Sequence, residues 1–177
     1  MQRGGYQTRL EVLEPAVVVL VFLAVYTDLR WRRIPNVLTV SGALAGLALN
    51  MIILGPTEGL RIACLGLVVG LALLLPFFAL GGMGGGDVKL LAALGAWVGP
   101  GRVFNIFLYA ALAGGIASII MLALQGRRAN FKEVAHDVLF FFLTQTCQPE
   151  RRDGPTLAYS LPIAAGVLGA IVFGDLV

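Results

Sequence analysis

The chain has 177 residues, of which 58% are hydrophobic and only 13% charged, with a formal net charge of +3. A soluble domain carries about twice that charged fraction, and the basic residues fall in loops rather than in a stripe, so a water-soluble enzyme and a nucleic-acid-binding protein are both excluded. Apolar runs near ~20 residues recur, so the expected class is an all-α, polytopic membrane protein seated in a lipid bilayer.

In chain order, the first apolar stretch runs from Glu14 to Asp28 and is followed by Arg30, Arg32 and Arg33. A cleavable signal peptide carries its charge in front, so this stretch reads as a retained first span. Further spans are expected at Val37–Leu54, Leu60–Leu80, Asp87–Val98, Val103–Leu124 and Leu157–Leu176, about six in all, forming a single domain over residues 1–177. The first and fourth are short for a hydrocarbon core of roughly 30 Å, which places Asp28 and Asp87 near a membrane boundary. Trp31 then sits at interface level beside arginines that reach headgroups. Parity puts the end of the first span and the start of the fourth on one side. Eight basic residues (Arg30, Arg32, Arg33, Arg127, Arg128, Lys132, Arg151, Arg152) fall in loops of that side, against four (Arg3, Arg9, Arg61, Arg102) on the other. The carboxylate side is therefore expected to face the cytoplasm.

Between Gln125 and Pro155 lies the longest loop. Phe131, Val134, Ala135, Val138, Leu139 and Phe142 recur there at helical spacing opposite Lys132, Glu133, His136 and Asp137, the pattern of an amphipathic helix on the inner leaflet. That helix reads as a membrane anchor, with a docking surface as the alternative, and His136 as a solvated residue of its polar face. Small residues four apart (Gly42 and Gly46, Gly66 and Gly70, Gly95 and Gly99) are expected to let helix backbones approach closely. Cys64 reads as a small core residue and Cys147 as a free thiol; their separation fits no metal-ligand spacing, and no metal or cofactor is expected.

The sequence Gly81-Gly82-Met83-Gly84-Gly85-Gly86-Asp87-Val88-Lys89 interrupts this apolar pattern. It is not a P-loop, because Asp87 stands where lysine belongs and a carboxylate at a helix N-terminus repels phosphate. The dinucleotide fingerprint fails at the same residue. Non-helical backbone at membrane depth is tolerated where it lines protein or a watery cavity. Gly84, Gly85 and Gly86 are expected to allow backbone shapes closed to other residues, so that an extended substrate could approach closely. Asp87, in the first turn of the fourth helix, is favoured there by the helix dipole.

Two carboxylates sharing one site cannot both ionise easily, so one proton is held between them. The charged member can activate water as a general base while the protonated member polarises a peptide carbonyl. The alternative is that Asp28 pairs with Arg30, Arg32 or Arg33 and Asp87 merely caps its helix.

Gly84-Gly85-Gly86-Asp87 fits the G-x-G-D motif of intramembrane aspartyl proteases, and Val88-Lys89-Leu90 after it is similar to the type IV prepilin peptidases. Asp28-Leu29-Arg30 followed by Ile34-Pro35-Asn36 resembles that family's first aspartate motif, and Gly95-Ala96-Trp97-Val98-Gly99, Tyr159 and Pro162 match its pattern. The resemblance implies an endopeptidase that cuts prepilins or pseudopilins on the cytoplasmic face of the inner membrane. The cut falls after a glycine that ends a basic leader. It implies Asp28 and Asp87 as the catalytic pair, and Lys89 with Ile34-Pro35-Asn36 as structural motif residues. Many members carry a four-cysteine cytoplasmic module and methylate the new N-terminus. Two separated cysteines cannot replace that module, so the expected form is the short one serving Flp/Tad-type pili.

Three other classes compete. A transporter could relay protons through Asp28 and Asp87, but both lie at one edge rather than at the midplane, and no paired repeat of broken helices is visible. A presenilin-like protease shares G-x-G-D but has a Pro-Ala-Leu element where this chain offers Leu161-Pro162-Ile163. A structural subunit would explain the packing glycines but not two matched aspartates.

Overall fold

The computed structural model describes residues 3–79, 83–124 and 160–174. Among them are six helices: α1 (Arg3–Trp31), α2 (Asn36–Leu54), α3 (Pro56–Ala79), α4 (Gly85–Val98), α5 (Pro100–Leu124) and α6 (Ser160–Phe173). They fall where the six apolar stretches predict them. The segment expected to form the amphipathic helix, with Lys132, His136, Cys147, Arg127, Arg128, Arg151, Arg152 and Tyr159, lies outside the described residues.

Among the described residues, three stretches are long and apolar enough to cross a membrane: Val12–Trp31, Asn36–Leu54 and Pro56–Ala79. Their outward faces carry large apolar side chains, such as Val40 and Ile52 on α2 and Leu65 and Val68 on α3, as a lipid-facing surface requires. Cys64 departs from expectation. It is exposed on the outer face of α3 rather than part of the core, because a cysteine is small and apolar enough for either side of a membrane helix.

α1 starts well before the apolar run that announced it and runs through Pro15. It ends where Arg32 takes a left-handed conformation (φ 53°) and its N–H bonds back to the Asp28 carbonyl at 2.7 Å. This is an αL cap made without glycine. The chain then re-enters a helix at once, as Pro35 sits in extended conformation directly before α2.

The short fourth helix has a structural reason. Eleven of the 14 residues of α4 are buried. It packs most heavily against α3 and α2, with α5 and α1 also in contact. A helix enclosed by protein need not match the thickness of the bilayer.

The glycine pairs work as close-approach sites, with one addition. A Cβ on Gly66 would run into the Gly95 carbonyl, and one on Gly95 into the Gly66 carbonyl, so α3 and α4 touch backbone to backbone. Gly46 lies under the Trp97 ring, whose Nε1–H donates to the Gly42 carbonyl at 2.7 Å. Gly99 has a second role besides packing. Its φ of 86° turns the chain from α4 into α5, and its N–H closes on the Gly95 carbonyl at 2.9 Å.

A polar lock holds α2 to the end of α4. Asn50, fully buried, donates from Nδ2 to the carbonyls of Ala96 (2.9 Å) and Trp97 (3.1 Å). A second polar tie joins α5 to α1, where Arg102 holds Glu14 at 2.6 Å.

Candidate active site

Asp28 sits in the last turn of α1 and Asp87 in the first turn of α4, and both are buried, each about 9% exposed. They line one cavity of about 470 Å³ together with Arg32, Arg33, the Ile34-Pro35-Asn36 segment and Gly84 to Gly86. The parity expectation thus holds in its physical content: helices that run out and back bring the two carboxylates to the same end. The volume falls within the range of sites that enclose small ligands or short chain segments.

Each wall of the cavity follows from local chemistry. Gly84 precedes α4 with an extended backbone (φ −73°, ψ 142°), and the Asp87 N–H bonds its carbonyl at 3.2 Å. The Asp87 carboxylate stands close over Gly84, where a Cβ would come within 3.2 Å of Oδ2.

The glycine run is open to the cavity, but not through unusual backbone angles. Gly84 has dihedrals that any residue adopts, and Gly85 and Gly86 are already helical. What matters is the missing side chain. A Cβ on Gly85 would press on the Phe78 ring and one on Gly86 on Ile34 Cβ, each at 3.2 Å. The expectation of special backbone shapes is therefore corrected to one of close packing, because a helix start needs only room and not a positive φ.

The start of α2 is tied to α4 by a polar contact. Lys89 Nζ donates to Asn36 Oδ1 at 2.9 Å. Two segments that the sequence singled out separately, Ile34-Pro35-Asn36 and Val88-Lys89-Leu90, meet here. At the rim, Trp31 stands edge-on to Tyr26 with ring centroids 6.1 Å apart, and the Arg30 guanidinium lies 5.6 Å from its ring centroid. These are the amphipathic side chains expected at a membrane–water boundary.

One neighbour of the pair was missed at the sequence level. Ser160 Oγ donates to Asp28 Oδ2 at 2.6 Å, and Ser160 is fully buried. A serine opening a helix signals a cap and nothing more. The signal that could have raised it is its adjacency to Tyr159 and Pro162. Among the described residues no group of His, Cys, Asp and Glu is arranged to hold a metal.

A bundle of apolar helices that keeps two buried aspartates on one cavity, at one end, defines a polytopic membrane protein with a paired-carboxylate site. The model of the type IV leader peptidase family matches residues 16–119, more than half of the sequence and both aspartates, and the chain belongs to that family. Its relatives include the prepilin leader peptidase/N-methyltransferase of Pectobacterium carotovorum subsp. carotovorum, 37% identical over 119 residues, which are 62% of this chain and 42% of the relative. The protein of the same description from Burkholderia pseudomallei (strain 1026b) is 37% identical over 113 residues, 60% of this chain and 35% of the relative. That of Neisseria gonorrhoeae is 34% identical over 113 residues, 60% of this chain and 39% of the relative. The chain spans about two-fifths of the length of these curated relatives. No solved structure matches.

Proposed function

We propose that this chain is a membrane-embedded aspartyl endopeptidase that removes the leader from prepilins or pseudopilins after a glycine, at the cytoplasmic face of the inner membrane. The observation that carries this reading is the convergence of buried Asp28 and Asp87 on one cavity walled by Gly84, Gly85 and Gly86. The family membership and the names of the relatives support the substrate class.

Substrate enters as an extended segment lying along the side-chain-free wall of Gly84 to Gly86. One aspartate, ionised, takes a proton from water as the hydroxide adds to the scissile carbonyl carbon. The other, protonated, donates a hydrogen bond to the carbonyl oxygen and supports the negative charge that develops there. When the tetrahedral adduct collapses, the C–N bond breaks and the leaving nitrogen takes a proton from the carboxyl pair. The excess of basic residues in loops on the carboxylate side supports the cytoplasmic orientation of the site.

The test is cleavage in detergent of a prepilin with glycine before its hydrophobic helix, by wild type, Asp28→Asn and Asp87→Asn. Cleavage after that glycine, lost in both variants, supports the reading. Variants that still cut remove the pair from the chemistry. A wild type inactive on several prepilins instead favours proton relay through the same aspartates, read as proton flux into liposomes.

A further inference from the structure

α1 is the helix that brings Asp28 to Asp87, so whatever fixes α1 fixes the distance and angle between the carboxylates. Among the described residues α1 packs more extensively against α6 than against α4 or α2. Leu13 and Val17 of α1 line the same narrow gap as Val167 and Ala170 of α6. Apolar contacts of this kind set the separation of two helices, but they leave the torsion of a terminal carboxylate free, because that torsion is broad.

At the cavity end of this seam stands Ser160, the first residue of α6. A serine in that place commonly turns its oxygen onto its own helix's N–H groups. Here its proton is directed outward, to Asp28 Oδ2 at 2.6 Å, between elements 132 positions apart in sequence. Ser160 is 0% exposed, so water does not compete for the bond. It is not among the residues that line the cavity, and it therefore acts on substrate only through Asp28.

We propose that Ser160 is a positioning residue: by engaging Asp28 Oδ2 it fixes the carboxylate plane and presents the other oxygen, Oδ1, to the cavity shared with Asp87. The role rests on the two-aspartate reading given above. Proton abstraction from a water between two carboxylates depends on alignment, and a misplacement of about 1 Å costs roughly 100-fold in such steps. The last helix then contributes to the site without touching the substrate.

The test is steady-state cleavage by the full chain in detergent, with melting temperature measured on the same preparations. Ser160→Ala should lower kcat about tenfold or more while KM stays within about twofold, and should lower the melting temperature by a few degrees at most, leaving the variant folded at the assay temperature. Ser160→Thr keeps the hydroxyl and should restore most of kcat. Should the added methyl lower its melting temperature, Ser160→Cys, nearly the same shape but a weak donor, should instead match the alanine variant in kcat while remaining folded at the assay temperature. Wild-type kcat in the alanine or cysteine variant, or a kcat loss that only follows loss of fold, overturns the proposal. A thermal double-mutant cycle of Ser160→Ala with Asp28→Ala needs no substrate. Non-additive melting temperatures support the bond, and additive ones overturn it. If the cycle shows coupling but wild type cuts no prepilin, the protease reading has failed and the role in cleavage falls with it; if wild type cuts and Ser160→Ala is indifferent, only the role of Ser160 falls.

Discussion

Two of the carboxylates on α1, Glu14 and Asp28, lie about four turns apart on nearly one face, and their surroundings are opposite. Glu14, near the middle of the helix, is met by the Arg102 guanidinium at 2.6 Å in a partly buried ion pair. Asp28, in its last turn, is met by a serine hydroxyl and shares its cavity with a second aspartate. An ion pair satisfies both members and joins two helices. Two like charges brought together repel, and the fold must hold them there by other means. The first arrangement is what a membrane helix needs for assembly. The second has no value for assembly, and it is the one walled by side-chain-free glycine.

The sharpest way to break this contrast is to neutralise each member of the aspartate pair. Asp28→Asn and Asp87→Asn should each reduce cleavage by about 10⁴-fold or more, as removal of a reacting group does elsewhere. Their melting temperatures should stay at or above wild type, since a like-charge contact has been removed. A fall in melting temperature without loss of cleavage would make the aspartates structural.

The contact that supports both sites comes next. Gly66→Ala drives a Cβ into the Gly95 carbonyl, a backbone atom that cannot swing aside. The expected cost is about 3 kcal/mol, measured by urea or thermal unfolding in detergent. Cleavage per folded molecule should be retained, because the clash lies on the α3–α4 contact away from the carboxylates.

At Glu14 the profile should invert. Arg102→Ala leaves a half-buried carboxylate without its cation and should cost about 1–2 kcal/mol of stability, with kcat unchanged. Adding Glu14→Gln should recover part of that loss. Equal kcat losses at the two sites would erase the distinction.

The smallest effect is expected at the mouth of the cavity. Lys89→Ala removes an exposed hydrogen bond to Asn36 and should cost under about 1 kcal/mol. The double variant with Asn36→Ala should be no worse than the poorer single one, checked by the same unfolding measurement.

Much of the bundle was legible in the sequence because a membrane span announces itself by composition. α2 begins one residue before the expected Val37 and ends at Leu54, and α4 and α5 end at the expected Val98 and Leu124. α1 was underestimated, since a helix continues through polar residues that a hydropathy reading assigns to solvent. The placing of Asp28 and Asp87 at one end was legible through parity, and Asp87 in the first turn through the glycines before it. The burial of α4 on nearly all sides was not, because an apolar run looks the same whether it faces lipid or protein. Nor was Ser160, whose partner lies 132 positions away and leaves no periodic trace. Asn50 escaped for the same reason: one amide in an apolar helix does not say which carbonyls it will find.

The enclosure of α4 has a consequence for how the protein meets different membranes. At 14 residues the helix is about 21 Å long, well short of a hydrocarbon core of roughly 30 Å. Lipid tails reach the faces of α2 and α3 but hardly touch α4, so hydrophobic mismatch acts on the outer helices and not on the one that bears Asp87. The depth of that carboxylate is set by its protein neighbours, as a ship's keel is set by the hull and not by the tide. Reconstitution in lipids of longer or shorter acyl chains should change the tilt of the outer helices before it changes the access of water to Asp87.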